Sequence, residues 1–461
     1  MPESTTQSVP YSGGRLLKAM AAISVSVGLA TLDTSITNTA LPAIAEQLQV
    51  GDADVIWVVA AYQIIMTAAI MPLAALGGTI GYRRVFMAGL ILFIFSSAFC
   101  GLATSLPVLI IARAFQGLGA AAIMSTNTAL VKLIYPPERL GKGLGLNALV
   151  VALGLAGGPV IASAVLSFAS WHWLFLINIP TGVLGLILTL RNIPQSRPRQ
   201  TGFSMWTAAL TFLAFLLFIT GLQRAESKAW PEVSAYTITA ILCFAALIRA
   251  EQGRSNRVFP TDLFRSADFS LSALTAVLAF AAQGLAMVIF PFFLLYGMGK
   301  MQWEIGLLIA PWPVLGALMA PVSGSLSDRF PAAWLSTAGM AVLSVSLLTM
   351  TLLTYETPVW LLMFNMACCG VGFGLFLSPN QRTLMASAPP SRSGAASGVL
   401  GVTRLLGQSG GAACVAFFLA GGDVQAGQSA IMALWSGAAL AMLAAVSSFS
   451  RIFFTGQVLK K

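Results

Sequence analysis

The sequence predicts an all-α membrane protein with fourteen transmembrane helices: two six-helix halves and two extra helices between them. Three observations predict it. The chain is 57% hydrophobic and only 9% charged, with mean hydropathy +0.85, whereas soluble domains carry roughly 25% charged residues. Its apolar residues gather in runs of membrane-spanning length. A set of residues recurs at one fixed spacing between the two ends of the chain.

A helix needs about 20 apolar residues to cross the bilayer core. Fourteen runs approach that length, beginning near Leu16, Val55, Val85, Leu106, Lys142, Trp173, Phe203, Val233, Phe269, Glu304, Ala332, Pro358, Ala395 and Ser429. Ala43-Ile44-Ala45 has the look of a signal-peptidase site, but the run before it is too long for a signal peptide and reads as an uncleaved first span.

Charge sets the orientation. Placing both termini in the cytoplasm leaves only Arg224, Lys228 and Lys300 of the 25 bases in outer loops. Arg113 and Arg404 lie inside spans, and every other base falls on the cytoplasmic side, as the positive-inside rule requires. The net charge of +10 is thus an orientation signal and not a nucleic-acid footprint.

The repeat pairs Gly117, Gly119, Asn127, Pro136 and Arg139 with Gly370, Gly372, Asn380, Pro389 and Arg392. The expected organisation is a cytoplasmic tail (1–15), an N-terminal six-helix half (16–192), a linker with two extra spans (193–265), a C-terminal half (266–453) and a second cytoplasmic tail (454–461). Repeated halves place a substrate path at their interface, near the bilayer midplane.

Asp33 is the only carboxylate inside an apolar run. A charge at the centre of a lone membrane helix costs ~2.5–3.5 kcal/mol on insertion scales, and intramembrane acids mark ion pathways. Arg113 is its expected partner. Counting 1.5 Å per residue from the outer helix ends puts the two at comparable depth. The five cysteines all fall in apolar runs, so redox chemistry is not expected. No His, Cys or acid cluster supports a metal site or an enzyme.

The motifs carry a family resemblance. Leu32-Asp33-Thr34 through Ala40-Leu41-Pro42, Ala112-Arg113-Ala114-Phe115-Gln116-Gly117-Leu118-Gly119, Gly154-Leu155-Ala156-Gly157-Gly158-Pro159 and Trp171-His172-Trp173-Leu174-Phe175-Leu176-Ile177-Asn178-Ile179-Pro180 resemble signatures of the major facilitator superfamily. Within it the chain is similar to the fourteen-span drug:proton antiporters, of the SmvA-like and YebQ-like kind found in Gram-negative inner membranes.

That resemblance implies the major facilitator fold and multidrug efflux driven by the proton gradient, without a cofactor. It implies a multi-pass monomer in the bacterial inner membrane whose partners are protons, small-molecule substrates and lipid. Asp33 and Arg113 are the implied proton-coupling pair, and Gly154, Gly158 and Pro159 an implied conformational motif. His172, the sole histidine, reads as an interfacial residue.

The cytoplasmic loop motif departs from the family pattern. Gly78 stands where an acid is expected, beside Arg83 and Arg84, whereas the second half keeps Asp328 with Arg329. Candidate substrate-binding groups are Asp33, Asn38, Tyr62, Gln63, Gln116, Gln283, Phe290, Phe293, Trp312, Asn380 and Arg404. A single membrane acid exchanges one proton, so monovalent lipophilic cations are expected over dications, whose export would oppose the membrane potential. Two alternatives stay open: an exporter of a metabolite or siderophore, with Arg404 meeting an anion, and a non-transporting receptor on the same fold.

Overall fold

The computed structural model describes residues 13–135, 140–195, 204–224, 230–251, 262–327, 329–388, 393–419 and 426–458. All fourteen expected runs are helices long and apolar enough to cross a membrane. In chain order they are span 1 (Gly13–Leu48), span 2 (Asp52–Ile80), span 3 (Tyr82–Gly101), span 4 (Leu106–Ile134), span 5 (Leu140–Leu166), span 6 (His172–Asn192) and span 7 (Met205–Arg224). Span 8 (Trp230–Glu251), span 9 (Ala267–Gly297), span 10 (Trp303–Leu326), span 11 (Ala332–Met350), span 12 (Val359–Ala386), span 13 (Ser393–Leu419) and span 14 (Ala426–Val458) complete the set. No strand occurs among the described residues.

In lipid every backbone group must be satisfied within the protein, and a helix does so within each segment. Side-chain hydroxyls conform to the same demand. Ser26, Thr31, Thr67 and Thr126 each donate to the carbonyl four residues back, at 2.6–3.0 Å. Prolines open the ladder where the chain must bend. The helical ladder of span 10 is interrupted at Ala310, just before Pro311. Span 9 widens into a π turn over Phe293–Gly297, directly after Pro291.

The sequence repeat is a repeat of packing. A Cβ on Gly89 would press on the carbonyl of Gly119 at 2.8 Å, and one on Gly339 on the carbonyl of Gly372 at 2.5 Å. Gly117 abuts the Tyr62 carbonyl, as Gly370 abuts that of Trp312. Small residues let backbones approach this closely, the main source of helix affinity where lipid supplies no hydrophobic drive. The halves meet through span 1 with span 9, span 2 with span 13, and span 5 with span 10. Of the two extra helices, span 7 packs against spans 2 and 13 and span 8 packs on span 7. The pair therefore adds to the outside of the bundle and leaves its centre to the two halves.

Candidate functional site

Four helices of the first half deliver one buried polar network. Asp33 on span 1 and Arg113 on span 4 are 1% and 0% exposed, and Arg113 Nη1 lies 2.6 Å from Asp33 Oδ2. Gln116, one turn beyond Arg113, donates to Asp33 Oδ1 at 3.0 Å and accepts from Arg113 Nη1 at 2.6 Å. Asn178 on span 6 donates to the same Oδ1 at 2.6 Å. Ser97 on span 3 accepts from both amides, at 2.7 Å from Gln116 and 3.1 Å from Asn178. Arg113 Nε donates to the Val58 carbonyl at 3.2 Å, and its guanidinium lies over the Tyr62 ring at 4.2 Å.

Arg113, Gln116 and Asn178 all donate to the Asp33 carboxylate, so the network satisfies the charged form. A proton can take the place of one donor only if that contact opens. Gln116 is suited to yield, because its amide carries both an acceptor and donors. Arg113 Nη2 is buried without a partner, so the guanidinium keeps an unused donor beside the acid.

The expected pair is thus joined directly, with Gln116 and Tyr62 in contact with it. Asn178, Ser97 and Phe175, whose ring is 5.6 Å from the Arg113 guanidinium, extend the site beyond the expected residues. Asn178 does carry a sequence signal: it is an amide in an apolar run, within a motif that matches the family.

The other candidates lie elsewhere. Asn38, Gln63 and Gln283 each hold a buried amide oxygen without a donor, and Trp312 a buried indole N–H without an acceptor. Trp312 meets Phe290 edge to face at 5.7 Å, and Phe293 is buried in the π turn. Asn380 is a staple between helices. It accepts from Arg451 Nη1 at 3.0 Å and donates to the Ser272 carbonyl at 3.0 Å, tying spans 9, 12 and 14. Arg451, expected on the cytoplasmic side, is 1% exposed and lies within span 14.

Arg404 on span 13 makes no hydrogen bond or ion pair with the described residues, and its Nε is buried without a partner. Of the loop charges, Arg83 donates to the Leu190 carbonyl at 2.7 Å and Arg84 to that of Ile80 at 3.4 Å. Arg329 is exposed, and Asp328 lies outside the described residues. His172 stacks on Trp171, 3.7 Å between ring centroids, and its Nε2 lies 3.1 Å from the Ala103 carbonyl.

Gly154 and Gly158 press against Thr31 and Ser35 of span 1. Pro159 has no N–H for the carbonyl of Leu155, and Ser35 supplies the missing donor at 2.8 Å. Gly306 on span 10 abuts the Pro159 carbonyl from the other half. One proline therefore joins the helix of the acid to the seam between the halves.

The model of the major facilitator superfamily matches residues 23–412. The chain belongs to the major facilitator superfamily. A transporter called YebQ from Escherichia coli, itself uncharacterized, is 42% identical over 94% of this chain and 95% of its own length. Multidrug resistance protein Stp from Mycobacterium tuberculosis is 30% identical over 84% of this chain and 73% of its own. A crystal structure of a POT family transporter in complex with a thioalcohol-conjugated peptide superimposes with a TM-score of 0.73. It covers 95% of this chain and 96% of its own, at 16% identity, a likeness of fold alone. The superfamily's two-half architecture is the one the glycine contacts repeat. Its chemistry here is one-sided: Gly158 meets Ile36 where Gly411 meets Leu285, so Ala282 occupies the place of Asp33.

Proposed function

We propose that the chain is a proton-coupled multidrug exporter working by alternating access. The observation that carries this reading is the buried Asp33–Arg113 pair, held by Gln116 and Asn178 beside the interface of the halves. A proton reaching outward-facing Asp33 loosens its hold on Arg113. The halves then rock inward, substrate displaces the proton, and the loaded chain returns. The Ser35–Leu155 bond and the Gly306–Pro159 contact link the acid's helix to the moving seam. The multidrug resistance relative supports export of small molecules. With one acid in the site, exchange of a monovalent cation for a proton moves no net charge, so among cations monovalent ones are favoured over divalent. The charge distribution supports cytoplasmic termini in a bacterial inner membrane, and a monomer has both halves of the site.

The test is ethidium-driven proton release from proteoliposomes, for wild type and Asp33→Asn. Release by wild type alone is expected. Release by both proteins would place the proton site elsewhere, and release by neither would remove ethidium-like drugs from the substrates.

A further inference from the structure

Counting charge at Asp33 alone leaves out Arg404. This arginine comes from the second half, on the helix that packs against span 2. Its guanidinium sits 6.0 Å from the centroid of Phe280. Arg113 has its carboxylate; Arg404 has none within salt-bridge reach among the described residues. Its side chain is only half-buried, although Nε is covered and without an acceptor.

The surroundings of Arg404 are aromatic. Phe280 packs edge to face on Phe373 at 5.5 Å and on Phe376 at 6.4 Å, and all three are buried. Gln283, three residues beyond Phe280 and so on the same helical face, holds an amide oxygen with no donor. An interior guanidinium without a counter-ion, beside aromatic faces, repels a lipophilic cation and offers a planar fork to a carboxylate.

We propose that Arg404 and the Phe280 face form the substrate subsite, and that it selects planar aromatic acids, including zwitterions, over aromatic cations. The proposal deepens the export reading by naming its substrate class. It places substrate on the second half, against the helix that packs on span 2.

The experiment is equilibrium binding to the full chain in proteoliposomes without a proton gradient. The probes are nalidixate, a planar aromatic carboxylate, and ethidium, a planar aromatic cation. Wild type is expected to bind nalidixate more tightly than ethidium. Arg404→Ala weakens nalidixate by about tenfold or more, the worth of a charge-assisted hydrogen bond, and strengthens ethidium. Arg404→Lys recovers part of the nalidixate affinity, which controls for loss of folding. Tighter ethidium than nalidixate in wild type, or equal weakening of both probes by Arg404→Ala, would overturn the proposal. Binding in the expected pattern without any response of transport to a pH gradient would leave the subsite standing and remove the antiport reading instead.

Discussion

The hydroxyl of Ser35 donates to the carbonyl of Leu155, the one acceptor in span 5 that Pro159 deprives of its helical donor. The bond crosses from the helix of Asp33 to the helix at the seam. Ser35→Ala leaves a partly buried carbonyl without that partner, at a cost of up to about 1–3 kcal/mol. A lower unfolding temperature in detergent is expected, together with slower exchange and unchanged substrate affinity. Unchanged stability and rate would mean that Leu155 finds another donor.

The seam itself is tested at Gly306. A side chain there collides with the Pro159 backbone, which cannot move aside as a flexible side chain would. Gly306→Val is expected to hold spans 5 and 10 apart. Cysteines placed beside the contact should become more reactive to a membrane-impermeant maleimide from the adjoining side, and transport should fall at least tenfold while the protein still folds. Labelling equal to that of the parent would show that the halves do not seal at this contact.

Much of the site is legible in the sequence, for definite physical reasons. Asp33 stands out because the bilayer core tolerates an acid only where a partner or an ion compensates its charge. Arg113 stands out because a base at comparable depth is the partner that does so. Asn178 is harder to see, because an amide gives no electrostatic signal and its role depends on span 6 bringing it to Asp33 across 145 residues of chain. Arg451 reads as an orienting charge, since a base near a helix end can face water or turn inward. It turns inward because Ser272 and Asn380 both accept from it. Asn127, the repeat mate of Asn380, keeps a buried amide oxygen without a donor, so the repeat alone does not announce the staple.

Removing one member of the buried ion pair leaves the other without compensation. Arg113→Met alone is expected to lose about 3–5 kcal/mol of stability. Pairing it with Asp33→Asn removes both charges, and most of that loss is regained. Neither variant exchanges protons for substrate. Thermal unfolding of the two single variants and the double variant in the same detergent supplies the cycle. Strict additivity would show that the 2.6 Å contact contributes no coupling.

Asn178 holds Asp33 Oδ1 beside Gln116 and reaches Ser97 as well, so its amide orients the carboxylate without carrying a proton. Asn178→Ala is expected to cut proton-coupled exchange at least tenfold while substrate–substrate exchange, which needs no net proton movement, is kept. Asn178→Gln, which keeps the donor at a greater reach, restores part of the coupled rate. Loss of both kinds of exchange in parallel would make Asn178 a packing residue only.

The charge that crosses the membrane in each cycle distinguishes the two substrate classes. One proton entering as one monovalent cation leaves moves no net charge. One proton entering as one aromatic anion leaves moves two, and each is worth about 2.3 kcal/mol per 100 mV. If Arg404 receives an anionic substrate, an inside-negative potential set by potassium and valinomycin accelerates nalidixate efflux even without a pH gradient. Ethidium efflux under the same potential stays flat. A nalidixate rate indifferent to potential would require two positive charges to leave with each anion for every proton that enters. With Asp33 the one acid of the network, the site supplies no such carriers, and that result would rule out exchange of one proton for one aromatic anion.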